Sequence, residues 1–379
     1  MIYFIVLVYI VFLSVRYRRL DKSNIPAYYL LQLILILLAG LRYNVGIDTS
    51  RYFAEYSTFP KLWELKAVFI HESNYKILWI IFESTMRSLS DSFYLVQLVL
   101  AIFVNAVVFR TIRRYSANPF LTVLFYYLLF YLNINTEILR ESVCICFLLL
   151  GLGLISKKQY FRYYLLAVTA FFFHESGAIL FIVPILLRIR FTKKAYLITI
   201  IVMAVISGYI SIFFVDLLTS VNLFNENKFD YFDWKIASTG SLIFNYLKYV
   251  VMPVMLLFIC YPRLSERDRK FIFIYIIFSI IYTEIPIFYR VRDYFFVFYL
   301  IAVTNAFARG FARRYNYAFV KISFLLVFLF ISIWKTYYNE SVKYNYQAYR
   351  NYYPYNSIFD EDIPQSRWDN FRNANASKD

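Results

Sequence analysis

The sequence predicts an all-α, polytopic integral membrane protein with about 12 transmembrane helices, and three observations lead to this class. Of the 379 residues, 61% are hydrophobic and only 17% are charged. A soluble domain has about 25% charged residues, so this chain has too few polar side chains to cover a water-exposed surface. Apolar runs recur along its whole length, and basic clusters separate many of them. These features exclude a soluble enzyme and a disordered basic tail.

The apolar runs define the predicted spans. Several are short for a bilayer and need flanking residues or local thinning of the membrane. The first run is followed, not preceded, by basic residues, which is typical of an uncleaved anchor whose N-terminus lies outside. The predicted spans are 1–15, 25–41, 92–109, 119–135, 138–155, 160–173, 176–188, 195–215, 241–260, 271–288, 293–308 and 318–335.

Basic clusters set the predicted orientation. Lys and Arg are enriched in cytoplasmic loops, so all six clusters are expected inside and both termini outside. The formal charge of +16 is therefore interpreted as a topology signal and not as a nucleic-acid footprint. The clusters are 16–22, 110–114, 157–162, 188–194, 263–270 and 309–314.

Residues 74–90 have a helical pattern in which Glu83 and Arg87 are expected to pair at i,i+4 spacing. If this segment crossed the membrane, every later basic cluster would face outward. We therefore interpret it as an amphipathic or re-entrant helix on the outer side.

Residues 1–335 are expected to form one transmembrane domain with outer segments 42–91 and 216–240, followed by a Tyr-rich extracytoplasmic tail, 336–379. The sequence contains no glycine-rich phosphate loop, and its three cysteines lie in apolar runs without zinc-ligand spacing. No metal and no cofactor are predicted. Chemistry is expected at the outer face.

Two arginine motifs lie at predicted helix ends. Arg42, Gly46 and Asp48 combine a cation, a glycine turn and a carboxylate, which suits a charged headgroup but also a simple interfacial anchor. Arg140 is expected in the first turn of a helix. It either receives a phosphate group from the membrane surface or is neutralised by neighbouring glutamates.

Three further elements leave two interpretations each. Glu72 is either an N-cap of the 74–90 helix or a general base. His174 follows three phenylalanines and is either a neutral base or a packed interfacial residue. Arg290 and Arg292 bind an anion, or Arg292 pairs with the adjacent Asp293.

Taken in order, these elements resemble the EpsG-like group of exopolysaccharide polymerases, relatives of the Wzy O-antigen and capsule polymerases. The resemblance covers most of residues 30–300. Glu141 stands where the family commonly has glutamine, and Ser73-Asn74-Tyr75 replaces the more usual Pro-Gly or Pro-Leu. The motifs are Arg42-Tyr-Asn-Val-Gly46-Ile-Asp48 with Tyr52, then Glu72, Asn135-Thr-Glu-Ile-Leu-Arg140-Glu141, Phe173-His174-Glu-Ser176 and Arg290-x-Arg292.

The resemblance implies block transfer of a glycan from an undecaprenyl diphosphate carrier onto a lipid-linked repeat unit, at the outer face of the bacterial cytoplasmic membrane. It assigns diphosphate binding to Arg42, Arg140, Arg290 and Arg292. Arg140 is also expected to be catalytic, with Asp48, Glu72 or His174 as the base. The implied partners are the undecaprenyl diphosphate-linked oligosaccharide and membrane lipid, with a chain-length regulator as a further candidate and no nucleic acid. The alternatives are a lipid-linked oligosaccharide flippase and an O-antigen ligase.

Overall fold

A computed structural model of the protein describes residues 1–46, 48–220, 239–310, 330, 340–341, 346–347 and 351–360. The chain divides into two compact units, one formed by Met1–Phe181 with Ile333–Asp379 and the other by Ile182–Ser332. Apart from Phe330, the predicted span 318–335 lies outside the described residues. So do residues 221–238 of the second predicted outer segment and most of the predicted tail.

The described part of the first unit is helical, apart from one short strand pair. A 3-10 turn at Leu62–Glu64 and a π-helical turn at Asn133–Glu137 connect some of the helices. The helices are α1 (Ile2–Arg16), α2 (Ile25–Gly40), α3 (Thr49–Tyr56), α4 (Ala67–Glu72), α5 (Ile77–Leu89), α6 (Phe93–Tyr115), α7 (Pro119–Leu129), α8 (Leu139–Ser156) and α9 (Tyr160–Phe173). Strands β1 (Glu340–Ser341) and β2 (Tyr346–Gln347) pair antiparallel.

The α1 helix shows how the apolar sequence is used. Val6, Ile10 and Leu13 are buried, and α1 packs against α7. Phe4 and Phe12 lie on the opposite face and are 68% and 60% exposed. Large apolar side chains exposed along one helix face are unfavourable in water and favourable in lipid. This pattern is that of a membrane protein.

The second unit contains the longest described helix. Helix α10 (Ile179–Arg188) leads into this unit from the first. The remaining helices are α11 (Lys193–Ser220), α12 (Thr239–Tyr246), α13 (Met252–Ile259), α14 (Glu266–Glu284), α15 (Tyr289–Asp293) and α16 (Phe296–Gly310). A π-helical turn at Leu247–Val251 joins α12 to α13.

Helices occupy every predicted span that falls within the described residues. Among those residues, α6 and α8 are long and apolar enough to cross a membrane by themselves. A further pair, Pro286–Asp293 and Phe296–Ala308, meets the same criteria together but is bent by 61°. In the described part of the chain, five further apolar helical stretches at predicted spans have 10–17 residues, and α14, at the predicted span 271–288, has 19 residues. The helical class is confirmed, and the count of 12 spans with both termini outside stays a prediction.

The α5 helix occupies the predicted 74–90 segment, but its expected ion pair is wrong. Glu83 lies on the buried face of α5, together with Trp79 and Ile80. Arg87 instead pairs with Asp91, and the Nη1 atom of Arg87 is 2.7 Å from the Oδ1 atom of Asp91. The face of α5 that carries Glu83 packs against the rest of the unit, so the carboxyl group is directed inward and does not reach Arg87.

The N-cap interpretation of Glu72 is also wrong. Glu72 is the last residue of α4, and Lys76 occupies the N-cap position of α5. Three residues separate Glu72 from Lys76, and both Ser73 and Lys76 are extended, so a carboxylate at position 72 does not reach the first turn of α5.

Candidate functional site

A buried polar network sets the start of α8, which carries Arg140. Asn105 on α6 donates from Nδ2 to the Oδ1 atom of Asn135 at 2.8 Å. Asn135 in turn donates to the carbonyl of Tyr131 and to the hydroxyl of Tyr126. Asn135 lies in the π-helical turn at Asn133–Glu137, and π turns are frequent at functional sites. The network therefore fixes the backbone that leads into the first turn of α8, where Arg140 lies.

Arg140 lies in the first turn of α8, as predicted, and is half-buried. Its guanidinium carbon is 4.5 Å from the ring centroid of Tyr75, within cation–π range. The guanidinium also interacts electrostatically with the hydroxyl of Tyr52 on α3, and its Nε atom is buried without a hydrogen-bond partner. Burial raises the pKa of Tyr52 to about 12, so this hydroxyl is neutral at physiological pH. Arg140 thus keeps an unused donor.

Glu55 on α3 closes one side of this cluster. Its Oε1 atom is 2.6 Å from the Nε atom of Arg51, and its Oε2 atom accepts a hydrogen bond from the Tyr75 hydroxyl. Burial and the adjacent Glu55 raise the pKa of Tyr75. Both carboxylate oxygens of Glu55 are therefore engaged, and the arrangement fixes the Tyr75 ring against Arg140.

Glu83 supplies a second carboxyl group from α5. The residue is only 2% exposed, and its Oε2 atom has no hydrogen-bond partner. Burial raises its pKa to about 8; the neighbouring Glu55 adds to the increase, and Arg140 opposes it. The protonated form consequently dominates at neutral pH. The sequence interpretation treated Glu83 as a surface ion-pair residue and missed this position.

His174 lies at the junction of α9 and a 3-10 turn and is 2% exposed. Its Nδ1 atom accepts a hydrogen bond from the backbone N–H of Ser176 at 3.1 Å. Its Nε2 atom is 3.6 Å from Oε1 of Glu141. An accepting Nδ1 places the ring proton on Nε2, toward this carboxylate. The geometry favours the packed, chain-capping interpretation of His174.

Asp48 and Gly46 form the connection between α2 and α3. The Asp48 N–H donates to Oε2 of Glu137 at 3.0 Å, which ties the connection to the α8 side. Gly46 has φ of +105°, and a Cβ atom there would lie 2.7 Å from the Cβ of Thr136. Both the backbone angle and the close approach require glycine.

Arg42 is directed into the protein and is 1% exposed. It donates to the carbonyl oxygens of Ala39 and Val45, and burial lowers its pKa to about 10. Its own backbone bridges to Ser357, so part of the predicted tail docks beside the end of α2. These contacts give Arg42 a structural role in holding the connection.

The second unit holds Arg290 and Arg292. Arg292 is buried and pairs with Asp293 at 2.8 Å, which confirms the pairing considered from the sequence. Its guanidinium carbon is 3.9 Å from the ring centroid of Tyr249 and 4.6 Å from that of Tyr282. Arg290 is half-buried and donates to the Tyr289 hydroxyl at 3.1 Å. The two arginines thus have different partners.

Lys248 is a further buried cation that the sequence interpretation missed. It interacts electrostatically with Arg292 and Asp293, and its Nζ atom is 4.9 Å from the Tyr249 ring centroid. The sequence could have identified it, because Lys248 lies within the predicted span 241–260. An ionisable residue inside a span is costly and is a functional candidate by default.

The structure therefore brings together Arg140, Tyr52, Tyr75, Glu55 and Glu83 in the first unit. Glu72 lies on the exposed side of α4. Within the described residues, no group of three or more His, Cys, Asp or Glu side chains is arranged to hold a metal ion. The arrangement offers an arginine with a spare donor beside a buried, protonatable carboxyl group.

Comparison with known proteins gives one family. The sequence profile of the EpsG family matches residues 25–357, nearly the whole chain. No curated protein and no solved structure matches the chain.

Proposed function

The chain belongs to the EpsG family, an exopolysaccharide polymerase-like family, and from this premise we propose that it lengthens glycans carried on undecaprenyl diphosphate. Family membership indicates a polymerase-type glycosyltransferase of polysaccharide biosynthesis. The proposed reaction moves the growing chain from its carrier onto the nonreducing end of a lipid-linked repeat unit. It takes place at the outer face of the bacterial cytoplasmic membrane and uses no nucleotide sugar.

The observation that carries the proposal is the state of Arg140. The half-buried guanidinium stands at the N-terminal end of α8 with an Nε donor that lacks a partner. The leaving group of the proposed reaction is a diphosphate, whose negative charge grows as the glycosidic bond breaks. An arginine fork at a helix N-terminus suits that charge. Electrostatic stabilisation of a leaving anion is commonly the largest catalytic contribution.

The surroundings of Arg140 support a lipid-linked substrate. Helix α8 is long and apolar enough to span a membrane, so the end that carries Arg140 lies near a membrane boundary. A diphosphate attached to a polyprenyl chain occupies the same depth. The aromatic side chains of Tyr52 and Tyr75 add flat surfaces of the kind that contact sugar C–H groups. Arg42 supports the neighbouring loop through hydrogen bonds to backbone carbonyls, and because its Nη2 atom has no hydrogen-bond partner, it stays a further candidate for diphosphate binding.

The direct test is the replacement Arg140→Gln in the host, with separation of lipid-linked glycans by size. Single repeat units are expected to accumulate and long chains to disappear. In membranes supplied with lipid-linked repeat units, the rate of chain extension should fall by about 10²–10³-fold, as for loss of one stabilising group in other enzymes. Arg162→Gln is a matched control, because Arg162 is exposed at the start of α9. It should extend chains normally.

The alternatives give different results in the same experiment. Normal long chains in the Arg140→Gln strain would remove Arg140 from the site. Repeat units confined to the inner leaflet after gene deletion would identify a flippase. Intact long chains that fail to reach a final acceptor would identify a ligase.

A further inference from the structure

The acidic groups around Arg140 differ in how many hydrogen bonds and ion pairs their carboxylate oxygens make. Glu55 has both carboxylate oxygens engaged, by Arg51 and by Tyr75. Glu137 accepts from the Asp48 N–H and from the Thr136 hydroxyl. Glu141 is also buried, and its Oε1 atom is 3.6 Å from Nε2 of His174. Glu83 is the contrasting case, since its Oε2 atom is buried without a hydrogen-bond partner and the described residues give its carboxyl group no ion-pair partner.

An unpaired buried carboxyl group is costly to fold around. Transferring a polar group out of water without a new hydrogen bond costs roughly 1–3 kcal/mol in protein interiors. Glu83 is nevertheless placed on the inner face of α5, and the adjacent Ser84 also lacks a hydrogen-bond partner for its hydroxyl. Apolar residues would fill the same face of α5 without this cost, so the presence of a carboxyl group at position 83 favours a chemical role.

The charged and titratable groups that face Glu83 explain its protonation state. Glu55 and Tyr56 approach from α3, and Arg140 approaches from α8. Burial and the like charge of Glu55 favour the neutral carboxyl, while Arg140 favours the carboxylate. A general base is most effective when its pKa is near the working pH. With a pKa of about 8, Glu83 meets this condition.

The other candidate bases fit less well. The Nδ1 atom of His174 is occupied by the Ser176 N–H, and its Nε2 atom faces Glu141. Glu72 is exposed at the end of α4. Neither position combines a buried carboxyl group with direct electrostatic coupling to Arg140, which Glu83 does.

We propose that Glu83 is the general base that accepts the proton of the attacking sugar hydroxyl, directly or through one water. This inference rests on the proposed polymerase function. The acceptor O–H bond breaks and its proton passes to the Glu83 carboxylate. The acceptor oxygen forms a bond to the anomeric carbon of the donor glycan. The bond from that carbon to the diphosphate oxygen breaks, its electron pair leaves with the carrier diphosphate, and Arg140 holds the new charge.

Arg140 couples the departure of the diphosphate to the proton transfer to Glu83. As the diphosphate binds, it neutralises part of the guanidinium charge that otherwise favours the Glu83 carboxylate. The basicity of Glu83 therefore rises at the moment when a proton must be accepted. After transfer, the protonated carboxyl returns its proton to water.

The experiment measures chain extension by the purified full-length protein in liposomes, with lipid diphosphate-linked repeat units as substrate. Glu83→Gln is expected to lower kcat by about 10²–10⁴-fold, the usual contribution of a general base, with KM little changed. Glu83→Asp should retain part of the activity. Ser84→Ala is the matched control on the same face of α5 and should stay within about twofold of wild type.

The pH profile provides a second readout that does not depend on a variant. The wild-type kcat/KM, which reports the free enzyme, should rise between about pH 6 and pH 9 with a midpoint near the pKa of about 8, and Glu83→Asp should move that midpoint. A wild-type rate for Glu83→Gln, alongside an inactive Arg140→Gln, would overturn the role of Glu83 alone. A flat wild-type profile would do the same if Glu83→Gln does not fold. Absence of extension by the wild-type protein would instead contradict the polymerase function.

Discussion

Replacing Glu83 by glutamine is expected to stabilise the protein, by an amount that grows with pH. Folding raises the pKa of this carboxyl group from 4.5 to about 8. The folded state therefore holds a proton that the unfolded state releases between these values. The stability of the wild type is full below about pH 4.5 and declines as pH rises toward 8. Glutamine mimics the neutral carboxyl group at every pH and removes the decline.

The size of the effect follows from the shift. At about 1.4 kcal/mol per pKa unit, linkage gives a wild-type penalty of about 1 kcal/mol at pH 5 and roughly 4 kcal/mol at pH 8. Little screening by solvent is expected, since the side chain is 2% exposed. Thermal unfolding in detergent at pH 5 to pH 8 measures the difference between Glu83→Gln and wild type.

The control for this measurement is Ser84→Ala. It removes another buried polar atom without a partner from the same helix, but that atom does not titrate. Its effect on the unfolding midpoint should be constant with pH. A Glu83→Gln effect that is equally constant from pH 5 to pH 8 would refute the buried, protonated state of Glu83.

Three further changes test the framework of the site. Gly46→Ala should destabilise the protein by about 1–3 kcal/mol, because of its φ of +105° and the 2.7 Å approach to Thr136. Gly208→Ala, inside α11 where a Cβ meets no atom within 4 Å, should not lower the unfolding midpoint, because alanine is favoured over glycine within a helix. Tyr52→Phe removes the hydroxyl that interacts with Arg140 and should lower the chain-extension rate about tenfold without loss of folded protein; an unchanged rate would show that this hydroxyl does not position the guanidinium. Asn135→Ala breaks the network that shapes the start of α8 and should cost roughly 1–3 kcal/mol in unfolding free energy, so an unaltered midpoint would contradict its structural role.

Local pattern was sufficient for the helices and for part of the site. Helices lie at each predicted span within the described residues, and Arg140 lies in the first turn of α8. The pairing of Arg292 with Asp293, residues adjacent in the chain, is also present. These features depend on hydrophobic periodicity and on neighbours in the sequence, both of which can be read directly from the chain.

The same reasoning was wrong where the surroundings of a side chain are set by residues distant in the sequence and not by its neighbours in the chain. Glu83 and Arg87 have suitable spacing for an ion pair, but α5 directs Glu83 inward. Glu72 precedes α5 in the chain, but it ends α4. Spacing along a helix limits which residues are neighbours, whereas it does not identify the face that other helices cover.

By itself, the sequence determined the membrane class and the approximate helix positions, because composition and hydrophobic length reflect the lipid solvent. Its family followed from the order of its motifs and from the match to the family profile. Only the tertiary structure decided which acidic groups approach Arg140. Glu55, Glu83 and Arg140 come from α3, α5 and α8, separated by many residues. Burial and charge interaction depend on distance through space, and packing of helices far apart in the chain sets that distance.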